Sequence, residues 1–209
     1  MKRFTILAAA AALLSACADN TVTSPADLST ASSVATAPGK NKLQCQAEAP
    51  ATCTLEGKGA KGPATLDTRA GGYALVFLND ISNLSGLTLD EVQQLSFTYS
   101  GDEATPGAPR LSLAIDTNDD GNYDQYAFVS AYYCNDGAGL VDVINDPTCT
   151  IFVGSEEFEN WDALVAAHPD WQIAVANQET GENYSFIIAD EPGLWTISGV
   201  TLGKPGAQN

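Results

Sequence analysis

The sequence predicts an all-β domain, a two-sheet antiparallel β-sandwich with one short helix. Three observations predict it. The apolar runs are short and repeated, several of them alternate apolar with polar residues, and clusters of Gly, Pro, Asn and Asp separate them. Short alternating runs divided by such turn residues are typical of sandwiches and barrels.

Eight segments carry strand signals. Residues 73–78 form a continuous apolar run, which suits a buried strand. Residues 95–100 and 111–115 alternate, so that every second side chain of each segment is directed towards the core. The other predicted strands are residues 126–133, 150–153, 171–176, 184–189 and 195–202.

One helix is predicted over residues 156–167, and His168-Pro169 ends it because a residue that precedes proline is disfavoured in the helical conformation. A further single turn is predicted at residues 89–94. The apolar residues that place the main helix lie close to one of its faces: Phe158, Trp161, Leu164 and Val165.

The first 16 residues have the features of an export signal. Lys2 and Arg3 give a basic start, and residues 4–14 form an apolar run that is too short to span a membrane. The run ends in Leu-Ser-Ala-Cys at residues 14–17, which resembles the lipobox of bacterial lipoproteins. The resemblance implies cleavage before Cys17, lipidation of this cysteine and stable membrane anchoring. An ordinary signal peptide is the alternative.

The remaining chain divides into three parts. Residues 17–42 begin with the lipidated cysteine and are rich in Ser, Thr, Ala and Pro, so we predict a disordered tether. Residues 43–203 are long enough for one domain with a sizeable core, and residues 204–209 form a tail. Ala18, in place of aspartate, favours the outer membrane or cell surface if the host is Gram-negative.

The charge balance is strongly acidic. Removal of the signal peptide leaves seven of the nine basic residues against 26 acidic ones, a net charge of −19. This balance argues against binding to nucleic acid and against direct adhesion to an anionic membrane. It is compatible with divalent cations, with basic partners and with simple solubility.

Four cysteines remain after Cys17 is assigned to lipid, and an even number in an exported chain indicates disulfides. Of the three pairings, the local one is predicted: Cys45 with Cys53, and Cys134 with Cys149. A zinc site is disfavoured because the spacings are not those of paired zinc ligands and His168 is the one histidine.

Three segments together resemble the jelly-roll, galactose-binding-like sandwiches of bacterial secreted and surface proteins. They are GAPRLSLAIDTNDDGNYD, NWDALVAAHPDWQIAVA and the closing strand LWTISGVTLG. Many such domains carry Asp-Asn in the closing strand, where this chain has Ser198-Gly199. The resemblance implies a jelly roll and favours sugar binding, but fold alone does not establish function.

The loop between the strands 111–115 and 126–133 is a candidate calcium site. Its spacing D-x-N-x-D-G-x-x-D matches the first part of the EF-hand loop, although Ala127 stands where that loop has a bidentate Glu. The alternative is a solvated turn, which Asp, Asn and Gly favour without an ion. The candidate ligands are Asp116, Asn118, Asp120 and Asp124, with the carbonyl of Asn122.

Sugar binding requires exposed aromatic rings beside hydrogen-bonding groups. The candidates are Arg110, Tyr132, Tyr133, Trp171 and Trp195. The alternative is that the tryptophans fill the core and the tyrosines cover sheet edges.

We therefore expect a lipid-anchored, extracytoplasmic domain with a non-catalytic binding or surface-structural role. Its ligand would be a glycan or a surface protein, and a carbohydrate-binding module is the first alternative. A hydrolase is the second alternative, which requires two close carboxylates in a cleft. No catalytic residue is predicted, because the single histidine, His168, excludes most histidine-based triads.

Overall fold

The computed structural model describes residues 43–57, 62–78, 86–134, 139–174 and 185–203. The predicted signal peptide, tether and tail lie outside these residues. Among these described residues, one helix, α1 (Trp161–Ala167), and two 3₁₀ turns, Leu89–Glu91 and Ala131–Tyr133, accompany the strands. The strands are β1 Gln44–Ala47, β2 Thr52–Leu55, β3 Ala64–Asp67, β4 Ala74–Phe77, β5 Gln94–Gly101, β6 Arg110–Asp116, β7 Gln125–Ser130, β8 Leu140–Asp142, β9 Ile151–Val153, β10 Glu156–Phe158, β11 Gln172–Ile173, β12 Phe186–Ala189 and β13 Leu194–Gly203.

The strands form two antiparallel sheets, which confirms the predicted sandwich. Sheet A has eight strands in the order β1-β4-β12-β6-β7-β9-β10, with β11 paired to β6. Sheet B has five strands in the order β2-β3-β13-β5-β8. This arrangement is compatible with a jelly roll.

The main core lies between the sheets, and strand alternation selects its residues. On β6, Leu111, Leu113 and Ile115 are buried in it, as the sequence pattern predicts. On β7 and its neighbour β9, Val129 and Ile151 are buried in the same core. The intervening residues of β6, β7 and β9 are therefore directed to the other face of sheet A.

Three predicted elements give way to other structure at one end, and one of them is the predicted turn at residues 89–94, which ends at Glu91, with Gln94 beginning β5. The predicted strand 126–133 ends at Ser130, whose side chain accepts a hydrogen bond from the Tyr132 N–H and caps a 3₁₀ turn. The predicted helix 156–167 was wrong over Glu156–Phe158, which pairs with β9 as strand β10. The helix begins after Asn160, because the Oδ1 atom of Asn160 accepts the Ala163 N–H.

Five short strands carried too little pattern for prediction. Strands β1, β2, β3 and β8 are three or four residues long, like β10, and even those that alternate, β2 and β3, contribute only two apolar residues each. They are ordered by pairing with longer neighbours, as β8 is with β5. The first and last residues of the predicted strands 171–176 and 184–189 differ from the structure or lie outside the described residues.

Both disulfides form in the predicted local pairing. Cys45 on β1 is bonded to Cys53 on β2, so this bond joins sheet A to sheet B. Cys134 is bonded to Cys149, which precedes β9. Two disulfides indicate an oxidising, extracytoplasmic environment. Within the described part of the chain, none of the helices has the length and apolar character needed to cross a membrane.

Candidate functional site

The acidic loop between β6 and β7 is organised around the carboxylate of Asp116. This side chain belongs to a residue that is only 2% exposed. Its Oδ1 accepts the N–H groups of Asn118 at 3.0 Å, Asp119 at 2.8 Å and Asp120 at 3.4 Å. Its Oδ2 accepts the N–H of Gly121 at 2.7 Å. One buried carboxylate thus binds four successive backbone donors of the loop.

The other predicted calcium ligands also bind donors within the loop. Asp124 Oδ2 accepts both the N–H and the hydroxyl of Thr117, each at 2.8 Å. Asp124 Oδ1 accepts the side-chain amide of Asn118 at 3.2 Å. Asp120 Oδ1 accepts the N–H of Asn122 at 2.8 Å. The Asp120–Asn122 bond is an Asx turn, the alternative to an ion that the sequence offers, and the bonds to Asp124 join the two ends of the loop.

Two residues at the tip have positive φ, Asp119 at 61° and Gly121 at 84°. Aspartate tolerates this region better than most residues, and glycine has no side chain to oppose it. The side-chain amide of Gln172 on β11 donates to Asp119 Oδ1 at 2.9 Å. The tip is therefore fastened to the body of sheet A by a side-chain contact as well as by its own strands.

In this conformation all four carboxylates of the loop accept hydrogen bonds from protein donors. Across the described residues, which include the whole loop, no three His, Cys, Asp or Glu side chains are placed to hold one metal ion. Calcium requires several oxygens at 2.3–2.6 Å from one point. Calcium stabilisation of the loop stays a prediction for measurement.

The outer face of sheet A carries a second apolar cluster, separate from the core. It is built from residues that alternate with core residues on the central strands, and Tyr126 and Phe186 lie in it with ring centroids 5.5 Å apart. Sandwich faces that are directed outward are usually polar. The buried members of this cluster are Leu75, Ala114, Tyr126, Ala174, Phe186 and Ile188.

Beside this cluster lies a row of four aromatic side chains, Phe128, Phe152, Tyr133 and Tyr132, which we call the aromatic strip. Phe128 and Phe152 are register partners on β7 and β9. The ring centroids of Phe152 and Tyr133 are 5.4 Å apart, and those of Tyr133 and Tyr132 are 5.0 Å apart. Tyr132 is 54% exposed, so the strip ends in an accessible ring.

Arg110 lies at the Phe128 end of the strip. Its guanidinium carbon is 5.0 Å from the Phe128 ring centroid, which is cation–π geometry. Its Nη2 donates to Asp190 Oδ2 at 2.8 Å. Its Nε is buried and has no hydrogen-bond partner among the described residues, as is also true of Ser112 Oγ on the same strand. The strip thus combines flat rings with a charged donor and a charged acceptor.

The two candidate tryptophans lie elsewhere. Trp195 is fully buried in the core between the sheets, so its ring is not available at the surface. Trp171 is half-buried and stacks on His168 with ring centroids 3.5 Å apart. His168 ends α1, as predicted, and its Nε2 lies 3.5 Å from a carboxylate oxygen of Glu156.

Sequence reasoning missed three residues of the site. Phe128 and Phe152 alternate with core residues of their strands, and this parity would have placed them on the outer face. Asp190 gave no signal, because it is 80 residues away from Arg110. Of the candidates, the structure brings Arg110, Tyr132 and Tyr133 to one face.

Both arginines of the described residues are paired with aspartates. Arg69 donates to Asp67 at 2.6 Å, and this hydrogen bond lowers the pKa of Asp67 and raises that of Arg69. Each arginine of the described residues therefore has a neutralising carboxylate beside it.

Burial raises the pKa of Tyr73, which packs against the outer cluster, and the charge of Glu48 adds to the effect.

A cleft of about 440 Å³ lies between the first 3₁₀ turn, the β8–β9 connection and α1. Its lining includes two carboxylates, Asp90 and Asp162, beside the indole of Trp161. The hydroxyl of Thr88 already donates to Asp90. The hydrolase alternative requires two carboxylates in a cleft. The aromatic strip instead has the aromatic rings and hydrogen-bonding groups that ligand binding requires.

Comparisons of the chain with protein-family models, curated proteins and solved structures found no match. The contacts of the aromatic strip are therefore the basis on which a function is inferred.

Proposed function

We propose that this chain is a lipid-anchored, extracytoplasmic domain that binds a ligand without catalysing a reaction, and that the aromatic strip is its binding surface. The single observation that carries the proposal is the chain of ring contacts from Phe152 through Tyr133 to Tyr132, beside Phe128 on an outer sheet face, with Tyr132 at 54% exposure. Tyrosine and phenylalanine are enriched in the buried centres of protein interfaces, and tyrosine also offers a hydroxyl. A face of this composition is stabilised further when a ligand covers it.

A glycan is the ligand that the side-chain chemistry favours most. The faces of sugar rings are apolar and pack on aromatic rings, while their hydroxyls need donors and acceptors. The Arg110–Asp190 pair supplies both at the Phe128 end of the strip. The resemblance to galactose-binding-like sandwiches agrees with this ligand. A surface-structural role would instead use the strip to contact a neighbouring surface protein.

Membrane anchoring rests on Cys17, which lies outside the described residues. We expect Cys17→Ser to move the protein from the membrane pellet to the soluble fraction, because the lipid chains have no other attachment point. Fractionation and intact-mass measurement of both proteins check this. An unmodified mature N-terminus in the wild type, or a pellet-bound variant, contradicts the anchor.

Ligand binding can be tested on the whole mature chain carrying Cys17→Ser, first on a glycan array. For a glycan that binds, we expect Tyr132→Ala to weaken the affinity by about 30-fold, since truncation of an anchoring aromatic residue costs about 2 kcal/mol. Isothermal titration calorimetry measures the change, and a thermal melt verifies the fold.

Leu140→Ala is the matched control, because Leu140 is the other large exposed apolar side chain of the described residues, at 40%, and lies on sheet B. This control should bind as the wild type does. Equal losses in both variants, or an array without any bound glycan, would remove the support for a glycan ligand at the strip.

A further inference from the structure

We infer that the aromatic strip accepts uncharged, polyhydroxylated ligands and rejects polyanionic ones, and that Asp190 sets this selectivity. The inference rests on the proposed function, because it specifies the class of glycan that the same surface takes. It concerns the use of the Arg110 charge, which is the nearest positive charge to the strip among the described residues.

The Arg110 guanidinium already makes two contacts. Its central carbon lies over the ring of Phe128, and its Nη2 donates to the Asp190 carboxylate at 2.8 Å. The side chain keeps 25% of its surface exposed, and that of Asp190 keeps 34%. The pair therefore stays in contact with solvent as a neutral unit, with guanidinium N–H donors and carboxylate acceptors available to a ligand.

The surroundings of the pair are negative. The carboxylate of Glu191 lies against Gly107, three residues before Arg110, since a Cβ on Gly107 would be 2.5 Å from Glu191 Oε1. The full sequence has a formal net charge of −17. A polyanionic ligand thus approaches a neutralised arginine through a negative potential, which slows and weakens its association.

An uncharged ligand meets none of this repulsion. Its hydroxyl groups both donate and accept hydrogen bonds, so adjacent hydroxyls can bond to Asp190 and Arg110 without separating the pair. An anionic ligand that engages Arg110 directly has to share the guanidinium with the Asp190 carboxylate, whose negative charge repels it. The ion pair therefore discriminates by charge, while the aromatic strip supplies contact area to either ligand.

The test compares linkage-matched oligogalactose and oligogalacturonate, which then differ only in the group at C6, on the mature chain carrying Cys17→Ser. We expect the wild-type domain to bind oligogalactose at least about tenfold more tightly than oligogalacturonate at low salt. Asp190→Asn should reduce this ratio to about twofold or less, because it frees the arginine charge. Asp162→Asn, which changes the net charge equally at the cleft, should leave the ratio unchanged.

The outcomes separate the inference from the proposed function. Preference of the wild type for oligogalacturonate, or an unchanged ratio in Asp190→Asn, overturns the charge selectivity but leaves binding at the strip in place. Binding of both sugars that Tyr132→Ala does not weaken places the ligand elsewhere and overturns both. If the protein binds neither of these sugars and no glycan on the array, a glycan is not its ligand and this inference also fails.

Discussion

Trp195→Ala is expected to destabilise the domain by about 3–5 kcal/mol, the usual cost of truncating a large aromatic side chain in a core. Trp195 has no exposed surface. Its ring also lies directly over Gly193, where an added Cβ would be 2.1 Å from the indole. The local structure is therefore shaped around this ring. For a domain of this size the melting temperature should fall by about 6–20 °C.

Urea unfolding with intact disulfides measures this change, and Trp171→Ala is the control. Trp171 is half-buried and stacked on His168, so its loss should cost about 1–2 kcal/mol. A larger loss of stability in Trp195→Ala than in Trp171→Ala identifies Trp195 as a core residue rather than a ligand-binding one. If the Trp195→Ala protein were as stable as the wild type but bound its ligand more weakly, Trp195 would be a ligand-binding residue and not a core residue.

Asp116→Asn is expected to destabilise the domain by about 3 kcal/mol. Hydrogen bonds to a charged group contribute about 1.5–3 kcal/mol each, and the Asp116 carboxylate accepts four at the base of the acidic loop. An asparagine amide in the same position turns an N–H towards backbone N–H groups, so at least one buried donor loses its partner. Thermal and urea unfolding measure the difference.

Asp120→Asn is the matched control in the same loop. Asp120 is exposed, and an asparagine Oδ1 can still accept the Asn122 N–H, so we expect a change below about 0.5 kcal/mol. If both variants were equally stable, the hydrogen bonds of Asp116 would not be what holds the loop.

The same proteins decide whether calcium stabilises the loop. A site of millimolar affinity would give about 1–2 kcal/mol at roughly 10 mM calcium, more than magnesium gives, and a further variant, Asp120→Ala, would abolish the effect because it removes a ligand oxygen. The hydrogen-bonded turn instead favours equal, small responses to both ions. A calcium-specific increase in the melting temperature would show that the loop rearranges to bind the ion.

Local patterns accounted for much of the fold. The alternation of Leu111, Leu113 and Ile115 was enough to predict both a strand and its buried face, because side-chain direction in a strand depends only on parity. The short spacing between Cys45 and Cys53 favoured a local pair, and the structure has that pair. The start of α1 was harder to predict, because Glu156–Phe158 becomes a strand by pairing with β9 and not through a strand pattern of its own.

By itself, the sequence determined the sandwich class, the disulfide pairing and the position of the acidic hairpin, all of which were predicted from local residue patterns. The tertiary structure decided which aromatic residues are accessible. Tyr132 and Trp195 are both large aromatic residues near strand ends, yet one is 54% exposed and the other fully buried. Their exposure depends on which sheet packs against each strand, and the Arg110–Asp190 contact likewise depends on strands that meet only after folding.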